Sequence, residues 1–373
     1  MNTNNFATSP VLPGRITSVD FFRGFTMFLL AGEAASVFGN LTGFDNRIVH
    51  FFSIQLSHHE WHGLHFWDLI QPFFMFIVGV SIPFAVANRL KKGQTTRQIT
   101  LHAVKRAFLL LFFGWALYFM RYNGQFVLKL QNVLAQLSFT YLAAFLIRNK
   151  SFKFQLIFTL VILLLIDLAY RFFPVEGFNN PWVNHENLGA WFNNKIEGVE
   201  KSSSYATLNF VATSAHTIWG VLCGKLLMSD KPAQKKIQQM VVWAIVALAI
   251  GFGLDLLDIT PIIKTIATSS FVFASGGWTI LALAFSYWLI DVKKLFLKGS
   301  KFFIIVGMNS IFIYIFFHIG GATLIGKVVD PFSKLLFSWS GEQMVALITS
   351  LGVWAALWYI CYWLFKNKVF VKI

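Results

Sequence analysis

Charge is what this chain has least of. Only 13% of its residues are Asp, Glu, Lys or Arg, and the acidic ones number 16 against 31 basic. Hydrophobic residues make up 56% of the chain, with 43 phenylalanines and 13 tryptophans among 373 residues. A soluble domain of this length could not cover that much apolar surface. Cysteine is nearly absent: Cys223 and Cys361 both lie in apolar runs, which excludes a disulfide framework or a cysteine metal site. No secretory signal peptide is expected, because 1–14 is polar and the first apolar run opens on Asp20 and Arg23 without a cleavage-like tail. Linkers, internal repeats and low-complexity segments are also missing. The chain therefore reads as one membrane domain over 1–373.

What the chain does have is long apolar runs, and a helix of about 20 residues spans a bilayer core. Such runs occur at roughly 19–39, 67–88, 104–121, 132–148, 154–173, 207–228, 238–258, 266–290, 302–322 and 343–365. Their lengths are helical, unlike the ~10-residue alternating segments of a membrane barrel. The expected fold is all-α: a polytopic bundle of about ten transmembrane helices in the lipid bilayer.

Lysine and arginine stay on the cytoplasmic side of such helices. With the N-terminus inside, the inner loops and flanks collect 22 of the 31 basic residues and the outer loops nine. Both termini are then cytoplasmic, and a bacterial inner membrane is the expected location. The net charge of +15 is scattered over short membrane-flanking loops, which speaks against a nucleic-acid partner. Outer loops of useful length remain at about 40–66 and 174–206. The second carries Trp182, Trp191 and several asparagines, suited to stacking on a sugar ring or to an interfacial aromatic belt.

Chemistry concentrates in the first outer loop. Ser57–Gly79, SHHEWHGLHFWDLIQPFFMFIVG, crowds His58, His59, His62 and His65 at the mouth of an apolar helix that opens on Asp68. Histidine takes and returns protons near neutral pH. Asp68, at a helix N-terminus that favours an anion, could hold one imidazole in a single tautomer. Glu60, Trp61 and His62 are supporting or substrate-binding candidates. Two other readings stand beside this one. The histidines could simply bond to water and backbone, or bind a metal, since His58/His62 and His59/His62/His65 have helix-like spacings; no HExxH or other closed zinc signature is present. Polar groups inside spans add Glu33, Asp167, Asn309 and His318, for each of which helix–helix hydrogen bonding is the plainer role. Lys264, after Pro261, either binds an anion or snorkels.

Two runs, VDFFRGFTMFLLAG and HHEWHGLHFWDLIQPFFMFIVGVSIPFA, resemble the start of the catalytic domain of heparan-alpha-glucosaminide N-acetyltransferases and their bacterial relatives. PIIKTIATSSFVFASGGWTILALAFSYWLIDV and GMNSIFIYI are similar to that family's closing half. The resemblance implies transfer of an acetyl group from cytoplasmic acetyl-CoA to an amino-sugar or glycan acceptor across the membrane. It implies His58, three residues before Trp61, as the essential histidine, with Asp20 and Arg23 in the opening motif, Asp68 at the helix mouth and Asn309 in the GMNS segment. The sequence departs from the family at three places. Glu33 and Ala34 stand where an asparagine is common, Gln136 where an arginine is, and SSSYATLNF replaces a D-P-E-G segment.

The expected mechanism places CoA phosphates near Lys91, Lys92, Arg97, Lys105 and Arg106, threads the thioester between spans, and uses His58 as general base or transient acetyl carrier. No metal is expected, and a homodimer is compatible with this reading. The alternative is a proton-coupled permease for a sugar or cell-wall fragment, with Glu33, Asp167 and the histidines as its proton path. A relative that only binds or assembles is a third reading.

Overall fold

The computed structural model describes residues 16–121, 130–197 and 204–371. The polar stretch 1–14 and Ser202 and Ser203 of SSSYATLNF lie outside the described residues. The described chain is helical, and its only strand-like feature is one isolated bridge between His62 and Ile263. The helices are α1 Thr17–Ala34, α2 Arg47–Gln55, α3 Ile70–Lys91, α4 Thr96–Arg121, α5 Val133–Ile147, α6 Phe152–Arg171 and α7 Leu188–Glu197. They continue as α8 Asn209–Met228, α9 Ala233–Leu256, α10 Ser269–Ser286, α11 Leu297–Met308, α12 Ser310–His318, α13 Gly321–Phe337 and α14 Glu342–Lys366.

All ten apolar runs fold as helices. Among the described residues seven helices are long and apolar enough to cross a membrane, and α11 with α12, bent by 62° at Asn309, would make an eighth. The two others expected fall short of that test for visible reasons. α1 contains Asp20, Arg23 and Glu33, and α5 has only 15 residues. The chain is an integral membrane helical bundle. Three further helices, α2, α7 and α13, were not expected from hydropathy; they are amphipathic or short, so no long apolar run marks them.

Local sequence decides where several of these helices begin. Asn132, Ser151 and Thr268 each accept a hydrogen bond from a backbone N–H of the first turn, which satisfies one of the donors a helix start leaves over. The start of α1 is capped from afar instead. Thr17 N and Ser18 N donate at 2.9 Å each to the two carboxylate oxygens of Asp291.

α3 and α8 form the centre. The most apolar window of α8 is 83% buried, whereas that of α6 is 17% buried and leaves its leucines and isoleucines to lipid. In lipid, apolar surface gives no drive for helices to associate, so close backbone approach and interhelical hydrogen bonds must do so. Gly79 of α3 and Gly220 and Gly224 of α8 provide the approach: a Cβ on Gly79 would fall on the Thr217 carbonyl, and one on Gly220 on the Phe76 carbonyl. Buried His216 of α8 lies 3.1 Å from Val272 O and 3.0 Å from Ser275 Oγ of α10, and Trp219 Nε1 donates to Thr159 of α6. Together these contacts tie α3, α6 and α10 to α8, and the histidine-rich loop docks on the chain just before α10, through the bridge between His62 and Ile263.

Candidate active site

Asp68 is the hub. It sits in a short 3-10 turn, Phe66–Leu69, that leads directly into α3. One carboxylate oxygen accepts from His65 N at 2.9 Å and His59 N at 3.2 Å, folding the loop around it. The other faces His58 Nδ1 and Lys264 Nζ, each 3.2 Å away. Only 1% of the Asp68 side chain is accessible, against 46% for His58. A carboxylate buried this deeply is tolerated because it accepts from two backbone N–H groups and from the Lys264 ammonium.

Lys264 closes the triangle, with Nζ 2.8 Å from His58 Nδ1. Its side chain is 8% accessible and lies 5.9 Å over the Tyr205 ring. Burial pulls the ammonium below the ordinary lysine value, while Asp68 and Glu33 oppose that shift. The 257–268 segment presents Lys264, and polar contacts brace it on both sides. On one side Gly63 N donates to Ile262 O at 2.9 Å, and Asp255 accepts from Ile262 N while lying 2.7 Å from His62 Nε2. Gly63 has φ +143, and a Cβ there would strike the His59 ring, so the turn needs glycine. On the other side Asp167 of α6 accepts from Arg171 at 2.7 Å, Thr260 at 3.1 Å and Ser269 at 3.2 Å. Arg171 also donates to the Ile259 carbonyl and to Thr260.

Three side chains complete the surroundings of His58. Trp67, 1% exposed, has its ring 6.4 Å from the imidazole, and its side chain lies beside Glu33. Glu33, in the last turn of α1, is exposed and within electrostatic range of both His58 and Lys264. The Tyr205 ring is 6.5 Å from His58, and burial with the nearby charges of Asp68 and Glu33 pushes its phenol up, so it stays protonated. Tyr205 was not among the expected site residues. A tyrosine in an outer loop carries no signal that separates it from an interfacial one.

The structure brings together His58, Asp68, Lys264 and Glu33 of the expected residues, and disperses the rest. Trp61 donates its indole N–H to Trp182 O at 2.8 Å and pins the two outer loops together. Glu60 is exposed. His62 pairs with Asp255, and His65 Nδ1 lies 3.2 Å from Ser57 O. The metal-like spacings are therefore divided among different partners, and among the described residues no three His, Cys, Asp or Glu side chains converge on a metal position. Asn309 sits at the α11–α12 break and bonds Val369 O and Val371 N. Lys91, Lys92 and Arg97 are exposed around the α3–α4 turn, about 30 Å from Asp68 by the rise of α3. Arg106 turns inward over the Tyr141 ring at 4.9 Å. Gln136 is buried and accepts at 2.6 Å from Gln71, at the start of α3.

No family model matches the chain. Over an alignment of 421 positions it is 25% identical to heparan-alpha-glucosaminide N-acetyltransferase of Mus musculus, covering 96% of this chain and 60% of that protein. Identity to the Homo sapiens protein of the same name is 24% over 425 positions, covering 97% of this chain and 60% of that one. The chain thus spans about three-fifths of the length of the curated relatives it matches. The resemblance carried by the histidine and aspartate motifs extends over nearly all of this sequence.

Proposed function

We propose that this relative of the heparan-alpha-glucosaminide N-acetyltransferases is a membrane N-acetyltransferase that passes an acetyl group from acetyl-CoA to the amine of a glucosamine-type acceptor. One observation carries the reading. The Nδ1 edge of His58 is held by Asp68 and Lys264 while nearly half of its side chain stays accessible, which leaves Nε2 as the reacting atom.

The distances as they stand fit one proton placement, and a small retreat of Lys264 admits a second. With the ring proton on Nε2, Lys264 donates to Nδ1 and to Asp68 together. With the proton on Nδ1, that N–H donates to Asp68 and Nε2 keeps its lone pair, while the Lys264 ammonium moves off Nδ1, since two donors do not face each other at 2.8 Å, and keeps its bond to Asp68. Only the second arrangement can act as base or nucleophile. Asp68 therefore selects the reacting tautomer, as the orienting carboxylate of a catalytic triad does. Lys264 balances the charge of Asp68 in its buried position.

As base, His58 Nε2 accepts a proton from the amine as its nitrogen attacks the thioester carbonyl, and returns it to the departing CoA sulfur. As carrier, Nε2 attacks the thioester carbonyl itself and CoA thiolate leaves; the amine then displaces the imidazole from the acetyl group. Either way the net change is one C–S bond broken and one C–N bond formed, with amide and CoA thiol as products. In this reading the phosphates of the donor rest near Lys91, Lys92, Arg97 and Arg106 on the inner face, and the acceptor arrives from the outer face. A donor held there reaches His58 only through the interior of the bundle.

The permease alternative is not favoured, because Asp167 is occupied as the clamp of the 257–268 segment. The test is acetyl transfer from labelled acetyl-CoA to glucosamine by the purified protein, beside H58A. Loss of about 10²- to 10⁴-fold in the variant is expected. Folded wild-type protein that shows neither transfer nor thioester hydrolysis dependent on His58 overturns the reading. Sugar uptake into proteoliposomes without CoA would support a permease instead.

A further inference from the structure

The site holds a carboxylate that the transfer chemistry above leaves without work. Asp68 is spent: its oxygens meet His58, Lys264, His59 N and His65 N, and its side chain is 1% accessible. Glu33 is the opposite case, exposed at the end of α1 and joined to the site through the Trp67 side chain, whose ring lies 6.4 Å from His58. The charged and titratable groups around it are His58, Lys264, Asp68 and Tyr205. With His58 neutral, Asp68, Lys264 and Glu33 sum to one negative charge.

Proton stoichiometry gives that charge a purpose. An amino-sugar amine arrives largely as an ammonium and must lose two protons to become an amide. His58 handles one, which ends on the CoA sulfur. The other needs a second acceptor that is open to solvent, so that the proton can leave.

We propose that Glu33 is the acceptor-binding carboxylate: it takes the ammonium of the substrate, accepts its first proton and releases that proton to the outer solution, so that the site selects amines over hydroxyls. The neutral amine so formed attacks the thioester carbonyl, and its second proton goes to His58. An ammonium brings the site to neutrality, whereas a hydroxyl acceptor leaves the negative charge uncompensated. The inference rests on the acetyl-transfer reading above.

The test compares wild type with Glu33→Gln, which keeps the size of the side chain and removes its charge. KM for glucosamine is expected to rise about 10- to 100-fold, the scale of a lost charge-assisted hydrogen bond. The variant rate should follow the free-amine fraction and fall steeply at lower pH, while the wild-type rate falls less. Without any donor, wild type should bind glucosamine in preference to N-acetylglucosamine by thermal shift, and the variant should lose that preference. Unchanged KM, pH profile and binding preference in Glu33→Gln overturn the role of Glu33 even if acetyl transfer is intact. Wild type that binds glucosamine selectively but transfers nothing sinks the transfer reading alone. Should Glu33→Gln fail to fold, Glu33→Asp must keep the amine preference; its loss there also overturns the proposal.

Discussion

Lys264 Nζ lies 2.8 Å from His58 Nδ1, although the two residues are 206 positions apart. Both also reach the same oxygen of Asp68, so an imidazole, an ammonium and a carboxylate share one buried corner beneath the accessible edge of the ring.

A double-mutant cycle should show strong coupling within it. D68N leaves the Lys264 ammonium buried without its anion, a change that costs about 3–5 kcal/mol when a buried pair is broken. K264M strands Asp68 in the same way. The double variant removes both charges and should lose less than the sum of the two, with a coupling of about 0.5–3 kcal/mol. Denaturation in detergent of the four proteins measures it. Additive losses would mean the pair is not formed.

Stability against pH carries a sign that K264M should erase. Burial holds the folded Lys264 below its ordinary value of 10.5. Between the folded and the ordinary value the unfolded chain binds more protons than the folded one, so this group makes stability rise with pH in that window. Below the folded value its penalty is fully present. Wild type should therefore gain thermal stability relative to K264M as pH climbs toward 10.5, and parallel curves would contradict the assignment.

Asp167 offers a test at a distance from the chemistry. It clamps Thr260 and Ser269, which bracket Lys264 in the chain. D167A should free that segment and lower transfer by about 10- to 100-fold, the scale of a small misplacement of a reacting group. Wild-type activity in D167A would show that the clamp is dispensable.

The central helix pair sets a separate expectation. Gly79→Ala or Gly220→Ala would drive a methyl into a backbone carbonyl of the facing helix. Each should cost about 1–3 kcal/mol and reduce folded yield. Gly253→Ala in α9 meets no atom within 4 Å and should be neutral or stabilise by up to about 1 kcal/mol. Size-exclusion profiles and melting temperatures of the three variants distinguish the two cases.

Hydropathy located ten apolar runs, which fold as eleven helices among the described residues and give seven spans, or eight with the bent pair, because burial in lipid is read one segment at a time. It missed α2, α7 and α13, where only one face of a helix is apolar or the helix is short. The histidine-rich mouth was legible for a similar reason. His58, Asp68 and the turn between them lie within eleven consecutive residues, and Asp68 bonds backbone N–H groups of its own loop. The basic residues around the α3–α4 turn were equally legible as topology, yet the rise of α3 puts them a bilayer thickness from the imidazole.

Sequence alone thus determined that this is a membrane bundle with a histidine and an aspartate at one helix mouth, since both follow from local composition and spacing. Only the tertiary structure decided which partners His58 has. Glu33 ends α1, Lys264 sits beyond α9 and Tyr205 just before α8, and no local pattern ties those segments together. They meet because glycine-lined helices pack backbone to backbone and because Asp167 and Asp255 brace the loop that carries the lysine. Packing of that kind depends on the whole bundle, and it leaves no mark at any one position.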